Sequence, residues 1–165
     1  MWTEAWPSLT IVNMKRSLRT VVALVEHPQP AWPDEVTSAL ARFLVIRSCG
    51  YLELVVDEAC KAYMVSKSTR QVSSFGASWL GHGGNPSPGH LVSLVRRFDS
   101  AWAAELQAFF DADDEALKRE ISFLVDRRNK MAHGASENTG TAKALELTVH
   151  AQSVADWFIR RFDPR

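Results

Sequence analysis

Apolar residues recur at three- and four-residue steps along most of this chain. The clearest series contains Leu117, Ile121, Leu124 and Val125, and the charged residue Arg128 continues the same spacing. Such spacing places one side of a segment in a core and predicts amphipathic α-helices. The period-two alternation that is typical of half-buried strands does not occur in the sequence. The pattern therefore predicts an all-α fold, an antiparallel bundle of about five to six helices.

Proline, glycine and short polar stretches divide the predicted helices. Gly50 falls in the longest one, where a close approach of another helix would explain a residue of low helix propensity. We expect one domain over residues 1–165, with an N-terminal helix and Pro-rich linker at 1–32 and a core bundle at 33–165. The predicted segments are helices at 7–27, 33–67 and 69–80, a loop at 81–89, a helix at 90–110 that bends near residues 99–100, an acidic stretch at 111–114, a helix that stops at Gly134, a connector at 135–140 and a final helix.

Composition and charge exclude several classes of protein. The chain is 46% hydrophobic and 23% charged, as is usual for a globular protein, and Lys plus Arg balance Asp plus Glu at 19 each. A net charge of zero gives no global attraction to nucleic acid, although a small cleft with a local positive field remains compatible with it. No apolar run is long enough to cross a bilayer, and the N-terminus lacks the zones of a signal peptide.

The cysteines and histidines indicate neither a disulfide nor a metal site. Cys49 and Cys60 lie 11 residues apart in one predicted helix. At 1.5 Å per residue this separates them by roughly 16 Å, beyond disulfide reach, so we expect two reduced core cysteines and a cytoplasmic location. The five histidines show no metal-ligand spacing, and the glycines do not form a phosphate-binding loop. We expect no metal and no cofactor.

The candidate chemistry lies at the end of the helix that stops at Gly134. Arg128 falls on its apolar stripe, and because a guanidinium cannot lose its proton it must find a partner or a ligand. Residues four apart share a helix face, so Asn129 and His133 align, whereas Arg128 and His133 are about 140° apart. Either the helix ends at Ala132 and turns His133, or a second subunit supplies the missing group across a two-fold axis.

Arg128, Asn129 and His133 resemble, position by position, the R-N-x-x-x-H motif of the HEPN superfamily. The wider runs 47–53 and 85–88 are similar to the bacterial RiboL-PSP-type branch of that superfamily. The resemblance covers about residues 35–160 and implies a HEPN-like helical bundle. It also implies a homodimer, in which the motifs of two protomers share one composite cleft.

The resemblance implies a metal-independent endoribonuclease that leaves 2′,3′-cyclic phosphate and 5′-hydroxyl ends, in a toxin–antitoxin or phage-defence setting. RNA is then the expected substrate, and an antitoxin or other protein is an expected partner. His133 would act as general base or acid, Arg128 would hold the phosphate, and Asn129 would orient His133 or bind phosphate. Catalytic roles thus fall on Arg128, Asn129 and His133, RNA-binding roles on Arg127 and Lys130, and secondary roles on Arg47 and Glu53.

Two other interpretations fit the same residues. A HEPN-type domain without turnover would serve as an RNA- or partner-binding module, which the zero net charge favours and the intact motif does not. Alternatively, His133 and Arg128 would only stabilise the C-terminus of a helix in a scaffold that has no role in nucleic-acid chemistry.

Overall fold

Six α-helices form the part of the chain that the computed structural model describes, residues 4–80, 85–133 and 139–165. Those residues contain no strand, which confirms the prediction of an all-α bundle of five to six helices. None of the described helices is long and apolar enough to cross a membrane. The helices are α1 Leu9–Glu26, α2 Asp34–Lys67, α3 Arg70–Ala77, α4 Pro88–Arg96, α5 Ser100–Ala132 and α6 Thr141–Arg161.

Helix α4 ends at Arg96 and α5 begins at Ser100, where the sequence predicted one bent helix over residues 90–110. The break follows from Asp99, whose Oδ1 accepts hydrogen bonds from the backbone N–H of Ala101 at 2.7 Å and of Trp102 at 3.0 Å. An aspartate in this position satisfies donors that have no partner inside a new helix, so it caps the start of α5. The predicted bend is therefore a full helix end followed by a second start.

Helix α5 is interrupted within the acidic stretch that the sequence analysis placed before the motif. The backbone leaves the helical conformation from Ala112 to Glu115, and Asp113, Asp114 and Glu115 have φ angles of 50°, 56° and 58°. Non-glycine residues in this left-handed region cost roughly 1–2 kcal/mol each. The interruption separates the first part of α5 from the part that carries Arg128, Asn129 and His133.

Contacts between side chains give the relative directions of the main helices. Ser8 donates to Glu58 at 3.2 Å and Arg47 donates to Ser17 at 3.0 Å, so α1 and α2 run antiparallel. In the same way, α5 and α6 run antiparallel, since Lys143 pairs with Glu120 and Arg161 with Glu105. Helices α2 and α6 run in the same direction, with Ser48 beside Thr148 and Tyr63 beside Phe162.

An aromatic cluster centred on Phe162 joins three parts of the bundle. Phe162 is fully buried, and its ring centroid lies 5.1 Å from Phe98, 5.4 Å from Trp102 and 5.7 Å from Tyr63. Tyr63 belongs to α2, Phe98 to the α4–α5 junction and Trp102 to the first turn of α5. Phe162 itself directly follows α6. Edge-to-face contacts of this kind stabilise the core in addition to the stabilisation that comes from burying the rings. Phe162 therefore fixes the C-terminal end of the chain to the core.

The two cysteines are free and buried, as predicted. Burial, with the nearby charge of Glu53, raises the pKa of the Cys49 thiol to about 12. Burial also raises the pKa of Cys60, to which the charge of Asp57 contributes. A thiol with a raised pKa is a poor nucleophile. Both cysteines are therefore core residues rather than reactive groups.

Candidate functional site

An ion pair between α5 and α2 holds the arginine of the motif. Arg128 Nη2 donates to Glu53 Oε1 at 2.8 Å, and Arg128 Nη1 donates to Asn129 Oδ1 at 3.1 Å. The side chains of Arg128 and Glu53 are 31% and 23% exposed, so water still reaches both groups. Glu53 is the partner that the position of Arg128 on an apolar stripe required. The pair joins residues 75 positions apart in the sequence.

Glu53 takes up a proton more readily than a free carboxyl group. Burial is the largest influence on its pKa and raises it above the ordinary value of 4.5, although the charge and the hydrogen bond of Arg128 act to lower it. The charge of Asp57 contributes in the same direction as burial. The Cys49 thiol lies 3.9 Å from Glu53 Oε1. The carboxyl group that positions Arg128 is thus itself sensitive to pH.

The raised pKa of Glu53 predicts the pH dependence of stability. A carboxyl group whose folded pKa is raised favours folding below its unfolded pKa, near 4.5, and this contribution is lost as pH rises through the folded pKa. We therefore expect the free energy of unfolding of the wild type, minus that of Glu53→Gln, to fall as pH rises from about 4 to 7. Urea unfolding of both proteins at several pH values measures this difference in the free energy of unfolding. A difference that grows with pH would mean that Arg128 outweighs burial.

His133 ends α5 and presents its ring to solvent. The helix stops at Ala132, and the backbone N–H of His133 donates to the carbonyl oxygens of Asn129 at 3.1 Å and Lys130 at 3.2 Å. This is the helix end that one of the two predicted arrangements requires. Within the described residues, however, the imidazole makes no hydrogen bond with Arg128 or Asn129. Gly134, the predicted helix stop, lies outside the described residues.

The two other cations of the motif contact residues on their own helix. The Arg127 guanidinium carbon lies 4.5 Å from the centroid of the Phe123 ring, and Lys130 Nζ lies 3.0 Å from Asp126 Oδ2. Lys130 is exposed and Arg127 is half-buried. Both lie in the same last turns of α5 as Arg128, and Asp126 and Glu53 offset part of the positive charge there.

Arg47 and Glu53, which the resemblance grouped as secondary residues, lie in different surroundings. Arg47 Nη2 donates to Ser17 Oγ at 3.0 Å and lies 3.3 Å from Met14 Sδ, so it faces α1. Glu53 instead faces α5. The structure brings Glu53 to Arg128, and it joins Arg47 to the N-terminal helix.

A groove of about 630 Å³ lies between α2 and α4, beside the ion pair. Glu53 belongs both to the ion pair and to the wall of the groove. The sequence did not predict this groove. The signal was present, because polar residues recur at one face of α2 and at one face of α4 within otherwise apolar helices. The charged and polar residues that line the groove are Glu53, Asp57, Glu58 and Lys61 on α2, and His90 and Ser93 on α4 with Arg97 directly after it.

Gly50 lines this groove, so the expectation of a close helix–helix approach there was wrong. A Cβ atom added at Gly50 would meet no atom within 4 Å, which means that open space rather than another helix lies next to it. Among the glycines that the structure describes, Gly76 is the one that is closely approached, since a Cβ there would lie 2.5 Å from Met64 Sδ.

Replacing Gly50 with alanine should stabilise the protein. Alanine is favoured over glycine in a helix interior by roughly 0.5–1 kcal/mol, and nothing in the groove opposes the added methyl group. Thermal unfolding of Gly50→Ala should therefore show a higher midpoint than that of the wild type. Gly89→Ala, also in open space but in the first turn of α4, is the control and should show a smaller rise. A lower midpoint for Gly50→Ala would contradict the described surroundings.

Comparisons with known proteins add nothing to this geometry. No family model, no curated protein and no solved structure matches the chain. In the parts of the chain that the structure describes, no group of three or more His, Cys, Asp or Glu side chains could hold a metal ion.

Proposed function

We propose that the chain is a HEPN-type, metal-independent endoribonuclease that cleaves RNA to 2′,3′-cyclic phosphate and 5′-hydroxyl ends. One observation carries the proposal: an anchored guanidinium and an exposed imidazole lie within the last two turns of the same helix. Arg128 is held by Glu53 and Asn129, and His133 follows one turn later at the helix end. A fixed cation that holds the phosphate and a side chain that transfers protons are two parts that phosphodiester cleavage uses.

The proposed chemistry follows from these side chains. The guanidinium of Arg128 has five N–H donors, and its bonds to Glu53 and Asn129 leave donors for a phosphate oxygen. An imidazole takes the proton of the ribose 2′-hydroxyl as O2′ attacks phosphorus, and the bond from phosphorus to O5′ breaks. The departing O5′ receives a proton from an imidazolium. The RNA thus supplies its own nucleophile, which DNA lacks.

A homodimer supplies the arrangement that one protomer lacks. Within the described residues, the imidazole of His133 makes no hydrogen bond with the guanidinium of Arg128 in the same chain. A two-fold axis beside this end of α5 would bring two copies of Arg128 and two of His133 into one cleft. One imidazole could then act as base and the other as acid. Arg127 and Lys130 would strengthen the positive field at the rim.

A non-catalytic HEPN-type module that binds RNA or a partner protein is the second candidate. The observation that favours it is the ion pair itself, because Glu53 neutralises the charge that would attract a phosphate. The zero net charge of the chain acts in the same direction. This module would retain RNA without breaking it.

Expression in a bacterial host separates the two candidates and addresses the proposed toxin or phage-defence setting. We expect the wild type to slow growth and to fragment cellular RNA, and we expect His133→Ala to do neither. A module without turnover would co-purify with intact RNA, and its wild type and His133→Ala variant would behave alike. Equal growth with equally intact RNA would therefore count against the nuclease.

A further inference from the structure

The groove between α2 and α4 has two chemically different walls. Glu53, Asp57 and Lys61 lie four residues apart on α2, so they form one row along the groove. His90 and Arg97, on the α4 side, form the opposite wall. The volume of about 630 Å³ falls within the range of roughly 300–1,000 Å³ that small-molecule sites occupy. A ligand there would meet the carboxylates of Glu53 and Asp57 and the ammonium group of Lys61 on one side, and the imidazole of His90 and the guanidinium of Arg97 on the other.

Asp57 is the carboxylate in this row that other side chains leave available. Glu53 is bonded to Arg128, and Glu58 accepts a hydrogen bond from Ser8 Oγ at 3.2 Å. Asp57 is half-buried, and in the described parts of the chain it makes no hydrogen bond or ion pair. A half-buried carboxylate without donors is unfavourable unless a ligand or water supplies them. Both acceptor oxygens of Asp57 are therefore open to a ligand.

Trp79 offers a flat apolar surface at the edge of the same groove. Its side chain is 67% exposed, and the ring of Phe75 lies edge-to-face with it at 6.2 Å between centroids. Exposed aromatic rings are the surfaces on which unpaired bases of single-stranded RNA stack. Lys61 and Arg97, which make no ion pair among the described residues, can contact phosphate from either side. Stacking and charge together suit a nucleotide better than an apolar ligand.

The groove and the proposed cleavage site share one residue, Glu53. Glu53 bonds to Arg128 on one side and lines the groove on the other. Asp57 follows one helical turn later, a rise of about 6 Å. A strand whose phosphate lies at Arg128 would therefore place a neighbouring base at Asp57.

We propose that this groove binds an unpaired guanine of the RNA, with Asp57 accepting from the base and Trp79 stacking on it. Guanine presents two adjacent donors, N1–H and N2–H, which one carboxylate accepts in parallel, as it accepts the two donors of an arginine fork. Adenine and cytosine present a single donor group on that edge, and uracil places its one donor between two acceptors. The inference rests on the proposed function, and it assigns a base preference to that activity.

Nucleotide binding tests the inference without any cleavage step. Titration calorimetry of the full chain should show that guanosine monophosphate binds more tightly than the adenosine, cytidine and uridine monophosphates. Inosine monophosphate lacks the N2 amino group, so it should bind at least about fivefold more weakly than the guanosine form. Trp79→Ala should weaken binding of all the nucleotides. The comparison with inosine uses the wild type, so it does not depend on how a variant folds.

The variant Asp57→Asn should remove the preference for guanine, while Asp34→Asn, exposed at the start of the same helix, should keep it. Equal binding of all nucleotides by the wild type, binding of none, or a preference that persists in Asp57→Asn would overturn the inference. Guanine binding in a chain that does not cleave RNA would overturn the proposed function and leave the groove assignment standing. Cleavage of RNA without a preference for guanine would overturn the groove assignment and leave the proposed function standing.

Discussion

Replacing His133 with alanine should lower the rate of RNA cleavage by the purified protein about 10²–10⁴-fold. Proton transfer by a positioned side chain contributes a factor of this size. His133 is the histidine that follows Arg128 and Asn129 at the end of α5, so no second histidine there would replace it. The variant should remain folded, because the His133 side chain is exposed and only its backbone N–H takes part in the helix end. Single-turnover cleavage of a labelled RNA measures the rate.

His27→Ala is the matched control for this change. His27 is also exposed, and it ends α1 as His133 ends α5, donating its backbone N–H to the carbonyl oxygen of Ala23 at 3.0 Å. It should cleave at the wild-type rate. If both variants lost activity equally, the effect would reflect a disturbed helix end rather than proton transfer.

The second large effect is on stability, at Phe162. Truncating this fully buried ring to alanine should lower the free energy of unfolding by roughly 3–5 kcal/mol, the cost of removing a buried aromatic ring and leaving a cavity. The ring contacts Tyr63, Phe98 and Trp102, so its loss loosens three parts of the bundle at once. Urea unfolding followed by circular dichroism measures the change.

Phe75→Ala serves as the control for ring removal. Phe75 is 68% exposed on α3, so its truncation should change the free energy of unfolding by less than about 0.5 kcal/mol. A loss at Phe162 no larger than the loss at Phe75 would contradict the described core.

Helix periodicity predicted most of the fold because each helix buries one face. It predicted less well where a single side chain decides the outcome. Asp99 turned an expected bend into the end of one helix and the start of the next by accepting two backbone hydrogen bonds. An aspartate before an apolar run is a known start signal, so the sequence did contain this information.

The candidate site was predictable only in part. The position of Arg128 on an apolar stripe showed that it needed a partner, but nothing local could identify Glu53, 75 residues away. Arg47 was grouped with Glu53 by the resemblance, yet its side chain faces α1. Gly50 was attributed to a helix contact, whereas it borders open space. Such features depend on which faces of distant helices meet, and periodicity along one helix does not specify that.

Cleavage of a defined RNA in the presence of a metal chelator, by the wild type and by Arg128→Ala, tests the central claim most directly. Arg96→Ala, at an exposed arginine that ends α4, is the control for the loss of one positive charge. The account predicts that the wild type and Arg96→Ala cleave in chelator, leaving 2′,3′-cyclic phosphate ends, and that Arg128→Ala does not. Intact RNA with the wild type, or equal cleavage by the wild type and Arg128→Ala, would contradict it.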